Sequence, residues 1–213
     1  TLAAAKHQRE QHGRPVLLHI NHPNYRWGVT AEDLAHVLEV RFFEVWNGVD
    51  GDNDPGDDYH PSTDEIWDIA NTLRIAGLSG PPLFGLAADD SHNYHWQSPR
   101  AFPGRAWVMV RAKHLTPESI IGALERGDYY SSTGVELRDI AFNGRKLSLA
   151  IEPVEGETYT TRFIGSRRGV ALEGRYRTDA RGEILETTLD YSTPDGPQIG
   201  EVFAEVEGLA PSY

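Results

Sequence analysis

A chain of 213 residues is long enough to bury a sizeable core, as one large domain or two small ones. Lys and Arg total 20 against 32 Asp and Glu, a formal net charge of -12, which argues against a general binder of nucleic acid or anionic membrane and suits cation binding, while leaving room for a local basic pocket. The sequence has no cysteine, so it has no disulfide, thiolate zinc site or thiol nucleophile, and any metal falls to His and carboxylates.

Thr1 to His12 is rich in Ala, Lys and Gln and reads as the end of a helix closed by Gly13. This stretch is too polar for a signal peptide and lacks an initiating Met, so a processed or truncated chain is expected. Compartment is left open between cytoplasm and periplasm or secretion, and no run of about 18 apolar residues is present to span a membrane. Val16 to Ile20 is a short apolar strand ending in Asn21, His22, Pro23 and Asn24. His22 lies past the strand, where a ring can face an opening; His19 lies within it and is expected to be a hydrogen-bonded core histidine. Tyr25, Arg26 and Trp27 form an aromatic and cationic edge, suited to an anionic or planar substrate or equally to packing.

A helix is expected from about Ala31 to Leu38 with Thr30 as its cap, then a strand from Arg41 to Trp46. Glu44, flanked by large apolar residues, needs a partner: it either orients a ligand histidine or forms a structural salt bridge. Asp50 to Asp58 looks calcium-like, but Pro55 and Pro61 stand where an EF-hand needs glycine and glutamate, so a solvated acidic loop is expected, with His60 an outside candidate for substrate contact. Ser62 to Glu65 is a capping box opening a helix through Leu73, and Gly77 to Pro82 breaks it.

Leu83 to Ala88 then reads as a buried parallel strand, and its end carries Asp89, Asp90 and His92. Separated by one residue, Asp90 and His92 can share an opening at a strand's carboxyl end and offer the oxygen and nitrogen donors that Zn, Mn or Fe accept. An Asp-rich turn in which Asp89 or Asp90 caps the next segment is equally consistent with the motif. The following loop holds His95, Trp96, Arg100 and Arg105, the arginines being weak candidates for a phosphate or carboxylate. Ala106 to Ala112 is a further strand, and Thr116, Pro117 and Gly127 bound a helix. Strand, helix, strand, helix, strand is the α/β pattern.

In this order, INHPNYRWG, FFEVWNG, GLAADDSHNY and GDYYSSTGVEL resemble the PHP (polymerase and histidinol phosphatase) superfamily of metal-dependent hydrolases, in its carbaryl-hydrolase-like branch. The resemblance covers roughly residues 13–137. It implies the C-terminal part of a distorted (β/α)7 barrel over residues 1–136, with metals at the C-terminal face of its strands. His22 matches the His-Pro motif of that family, Asp90 and His92 match its late Asp-x-His motif, and Ser131, Ser132 and Thr133 fall on a turn that closes the barrel, near the pocket or capping backbone. The family's early His-x-His motif has no counterpart ahead of His22; His7 and His12 sit in a helical stretch without a preceding strand. A longer protein whose N-terminal portion supplies those ligands is therefore expected, and this chain alone is not expected to hold a complete two- or three-metal centre.

From Leu137 the pattern changes to short alternating runs around Asn143-Gly144, then runs at Tyr159 to Ile164, Val170 to Tyr176, Ile184 to Asp190 and Glu201 to Val206. A small antiparallel sheet or sandwich over residues 137–213, packed on the barrel as a structural appendage, is expected. Carbohydrate binding by Tyr159, Tyr176 or Tyr191 has no motif behind it.

The functional expectation is a metal-dependent phosphoesterase acting on a small-molecule phosphoester through metal-activated water. His22, Asp90 and His92 are the expected ligands of a divalent ion (Zn, Mn or Fe), Glu44 supports them, and Arg105 meets substrate charge. Ester, amide or carbamate hydrolysis on the same metals is the alternative, and a non-catalytic binding or scaffold module is the reading from another class. The partners expected are the substrate, the N-terminal portion of the same protein or a second copy of the chain, with neither nucleic acid nor membrane favoured.

Overall fold

The computed structural model describes residues 2–95 and 100–208. Helix α1 (Leu2–His12) ends where Gly13 takes φ 60° and donates its N–H to the Arg9 carbonyl at 2.9 Å. Strand β1 (His19–Ile20) is only two residues long and is followed by a 3-10 turn at Tyr25–Trp27. Helix α2 (Ala31–His36) starts on a capping box between Thr30 and Asp33. Strand β2 (Phe42–Asn47) is followed by α3 (Thr63–Thr72), which opens on the Ser62–Glu65 capping box and runs into a π turn at Leu73–Gly77. Strand β3 (Phe84–Ala88) completes a parallel sheet in the order β1-β2-β3.

These three strands carry the core. Phe43, Leu34, Ile66, Ala70 and Leu83 are at most 2% exposed, and α2 and α3 lie against the sheet. Burial of each large side chain here stabilises the fold by roughly 1.5–3 kcal/mol. Arg74 is fully buried in the π turn and donates to the carbonyls of Leu34, Leu38, Val40 and Pro81 at 3.0–3.3 Å, ending several loops at once.

The expected β/α barrel is not formed. Strand β4 (Trp107–Val110) and β5 (Tyr129–Ser132) pair antiparallel with each other, on either side of α4 (Pro117–Arg126), and form a separate two-stranded sheet. The cause lies at the outer edge of β3. There the Tyr129 and Ser131 hydroxyls donate to the Gly85 carbonyl at 3.0 and 2.9 Å, and the Ser131 hydroxyl accepts the Ala87 N–H at 3.1 Å. Side-chain hydroxyls occupy the groups that a fourth parallel strand would need, so the sheet stops at three strands.

The expected single sheet or sandwich in the tail is absent as well among the described residues. Strands β6 (Leu137–Phe142) and β7 (Leu147–Ile151) make one hairpin around Asn143-Gly144, with Gly144 at φ 86°. Strands β8 (Tyr159–Gly165) and β9 (Glu201–Gly208) make another ladder. The runs near residues 170–176 and 184–190 contribute only the isolated bridges Arg175 to Asp190 and Thr178 to Ile184. This segment docks on the parallel sheet's helices: the Thr188 hydroxyl accepts the Ala31 N–H at 2.9 Å, and Glu32 accepts the Leu189 N–H and the Tyr191 hydroxyl. Tyr191 is 7% exposed and part of the core, in line with a structural role for the tail. No helix of the described residues is long and apolar enough to cross a membrane.

Candidate functional site

Because β1, β2 and β3 run parallel, the residues that follow each of them emerge at one end of the sheet. His22 comes after β1, Asn47 closes β2, and Asp89 to His92 follow β3. Gly48 allows the last two ends to meet, since a Cβ there would stand 2.8 Å from the Asp89 Cα. His22 and Asp90 both adopt positive φ, 26° and 45°, a conformation that costs free energy at non-glycine residues and is held here by the surrounding contacts.

Glu44 is the hub. It is 3% exposed, and its Oε2 accepts the His22 backbone N–H at 2.7 Å and the Asn47 side-chain amide at 3.2 Å. It therefore orients His22 through the backbone; none of the ion pairs among the described residues involves it. The same Asn47 amide donates to Asp90 Oδ2 at 3.2 Å, so a chain of hydrogen bonds runs from His22 through Glu44 and Asn47 to Asp90. In an unbroken strand, residues 44 and 47 would face opposite sides. A bulge between Glu44 and Trp46 turns Asn47 to the Glu44 side and leaves Trp46 exposed. His92 Nε2 lies 3.8 Å from Asp90 Oδ1, with the imidazole two-thirds exposed. Asp89 faces away from this chain and accepts the Gly104 N–H at 2.7 Å.

The acidic loop after β2 is solvated in part, with Asp50, Asp57 and Asp58 exposed, but two of its carboxylates turn inward. Asp52 and Asp54 are 7% and 6% exposed. Asp54 is satisfied: it accepts the Asn47 N–H at 2.6 Å and the Thr63 hydroxyl at 2.8 Å, which partly offset the upward push of burial on its carboxyl. Asp52 is different, because its buried Oδ2 has no hydrogen-bond partner. Its carboxyl is pushed up to about 6, first by burial and then by Asp54, with Glu44 and Asp90 adding repulsion and His22 opposing it. Sequence reasoning missed Asp52 and Asn47, and only the bulge and the loop's inward fold distinguish them from ordinary turn residues.

Two loops interlock to bring this loop to the sheet. The Asn24 amide donates to the Asn53 and Pro61 carbonyls at 3.2 and 3.1 Å, and the Asn53 amide donates back to the Asn24 carbonyl at 3.3 Å. On the same loops the His60 ring stacks on Trp27 with centroids 4.0 Å apart and planes 5° from parallel, while His60 Nδ1 lies 2.8 Å from Asp57 Oδ1. A cavity of about 750 Å³ opens beside them, lined by Asn47, Asp52, Asp54, Phe102, Arg105 and Thr133 among others. On its wall the Arg105 guanidinium lies over the Phe102 ring and donates to Asp50 at 2.6 Å, holding that carboxyl below its usual range.

Other candidates lie elsewhere. His19 is exposed on β1 rather than a core histidine, and His7 and His12 are exposed on α1. His95 is exposed, and the Arg100 carbonyl accepts the Asp50 N–H and an Arg105 Nη1 hydrogen. Trp96 lies outside the described residues. The Ser131 and Ser132 hydroxyls bond backbone, and Thr133 reaches the cavity. The Tyr159 hydroxyl accepts the Val154 N–H, and Tyr176 is exposed.

The donor types suit a divalent cation: carboxylate oxygens and imidazole nitrogens, with one buried carboxylate oxygen, Asp52 Oδ2, lacking a hydrogen-bond partner. The side-chain placement is looser. Among the described residues, no three His, Asp or Glu side chains are grouped so as to hold a metal ion as they stand. Comparison of the chain with protein-family models, with curated proteins and with solved structures found no match.

Proposed function

We propose that this end of the parallel sheet serves a metal-dependent hydrolase, with a small-molecule phosphoester as substrate. The observation that carries the reading is the hydrogen-bonded chain from His22 through Glu44 and Asn47 to Asp90, which joins residues from three strand ends into one polar site. The order of the PHP-like motifs supports it as well, through the residues rather than through a barrel. His22, Asp90 and His92 would hold a divalent ion (Zn, Mn or Fe), which when bound lowers the pKa of a water and neutralises charge on the substrate oxygen.

The chain's own residues do the rest. Glu44 fixes the His22 backbone in its positive-φ conformation, and Asn47 holds the Asp90 carboxylate toward the same side. Arg105, at the cavity wall, offers a guanidinium to an anionic substrate group in exchange for Asp50. A second reading, a non-catalytic binding module, is favoured by one observation: the absence, among the described residues, of a grouped ligand trio.

Assays with Mn²⁺ or Zn²⁺ on p-nitrophenyl phosphate and p-nitrophenyl acetate separate these readings. Metal-dependent release of p-nitrophenol from the phosphate ester is expected, falling at least about 100-fold when Asp90→Asn and His92→Ala are combined. Turnover unchanged in that double variant would overturn the site, and metal binding without turnover on either ester would favour the binding module.

A further inference from the structure

We propose that a cavity at the opposite end of the parallel sheet, between α1 and the segments leading into β1 and β2, binds a singly charged organic anion with an apolar body, of the medium-chain carboxylate class. Because the strands run parallel, the residues that precede them gather away from His22 and Asp90. There Val16, Leu18 and Phe42, with Leu2 of α1, line a cavity of about 520 Å³, a size and lining common to small-molecule sites. Arg9 ties the helix down beside it, donating to the Val16 carbonyl at 2.7 Å and to Glu125 of α4 at 3.0 Å.

The charges around this cavity are unevenly matched. Lys6, Arg9 and Arg41 line it together with Glu39 and Glu125. Arg9 takes Glu125, whereas neither Lys6 nor Arg41 joins an ion pair among the described residues. Arg41 is held firmly in place. Its carbonyl accepts the Phe84 N–H at 2.7 Å, which fixes its backbone to β3, and its guanidinium lies 5.0 Å from the centroid of the Phe84 ring. Yet that guanidinium makes one long hydrogen bond among the described residues, from Nη1 to the Glu125 carbonyl at 3.4 Å, and its buried Nε has no partner. A positioned guanidinium with donors to spare, set against apolar walls, is suited to a carboxylate that carries a hydrocarbon tail. Two cations without a carboxylate, in a chain of net charge -12, set the sign of the ligand. Glu39 on the same lining limits that charge, so a monoanion fits better than the dianion of a phosphate monoester.

Calorimetric titration of the whole chain with sodium octanoate tests the assignment, alongside sodium acetate, which has the charge without the tail, and 1-octanol, which has the tail without the charge. Octanoate is expected to bind at a single site per chain and to raise the thermal midpoint, with acetate and 1-octanol each at least about tenfold weaker. Arg41→Met keeps an apolar stem and removes the charge, and it is expected to weaken octanoate at least about tenfold. Lys6 is exposed on α1, where its replacement leaves the core untouched, and Lys6→Met should weaken octanoate roughly threefold. Octanoate affinity unchanged in both variants would overturn the site, and 1-octanol binding as tightly as octanoate would overturn its preference for an anion. Several weak sites indifferent to both substitutions would mean adsorption to exposed apolar surface and would overturn it as well. Absence of octanoate binding by wild type would overturn the proposal outright, while leaving the hydrolase reading at the other end of the sheet untouched.

Discussion

In and beside the parallel sheet, Glu44, Asn47, Asp54, Thr63 and Arg74 are buried and joined by hydrogen bonds, whereas the hairpins after Leu137 carry Arg138–Glu152, Arg162–Glu205 and Arg167–Glu201 as largely exposed ion pairs. The chemistry of the two sets is alike, but their surroundings are not. Where water is excluded, each hydrogen bond positions its partner and each missing one is costly. On the hairpins, water and salt compete for the same charges. The candidate site stands on the buried set, where small changes in a partner move a neighbour.

Replacing residues on each side should expose that contrast. The largest effect is expected at Arg74: Arg74→Met leaves the buried carbonyls of Leu34 and Val40, and the part-buried ones of Leu38 and Pro81, short of a donor and should lower unfolding free energy by about 3–5 kcal/mol, read from urea denaturation. A loss below about 1 kcal/mol would mean that water reaches these carbonyls.

Next comes Asp68, on α3 where the tail docks, with the Gly200 backbone packed against its carboxylate. Its carboxyl is pushed up to about 6 from 3.8, by burial first and by Asp64 and Glu65 after that. Between those pH values the folded protein keeps a proton that the unfolded chain releases, so stability falls as pH rises through the window and is lowest above it. Asp68→Asn should therefore gain about 2 kcal/mol at pH 7.5 and close to nothing at pH 4. Equal gains at both values would assign the effect to packing.

A smaller change is expected at Thr188, whose hydroxyl receives the first N–H of α2 from across the fold. Thr188→Val should cost about 1–2 kcal/mol and accelerate hydrogen exchange at the Ala31 amide. The smallest belongs to the hairpins: Arg162→Ala should leave stability close to that of wild type, with any difference fading at high salt. If it matched the loss at Thr188, the contrast between the two regions would fail.

What could be read from the amino acids alone was chemistry confined to a few neighbours. Ser62 with Glu65, Thr30 with Asp33, Thr116 with Pro117 and Gly127, and Asn143 with Gly144 each specify a helix end or turn within a few residues, and each forms as expected. The strands of the parallel sheet were legible from their apolar runs, within a residue or two at each end except for β1, which is shorter than expected. Barrel closure was not legible, because it turned on Tyr129 and Ser131 reaching Gly85 from more than forty residues away. Asp52 was unreadable for a related reason: in the sequence it stands among acidic and glycine residues like any solvated loop, and its burial depends on Asn24, Asn53 and Pro61 drawing that loop inward. Glu44 was visible as a carboxylate needing a partner, but a backbone N–H as that partner was not.

The hydroxyl-capped outer strand bears on how the molecule behaves in a crowded solution. A bare sheet flank is a template on which foreign chains can add, the first step toward fibrils. Here one flank of the sheet has its Gly85 carbonyl and Ala87 amide already engaged by Tyr129 and Ser131, and the opposite flank is a two-residue strand, too short to seed a ladder. The hydroxyls that halt growth of the sheet within the molecule thus also discourage its growth between molecules.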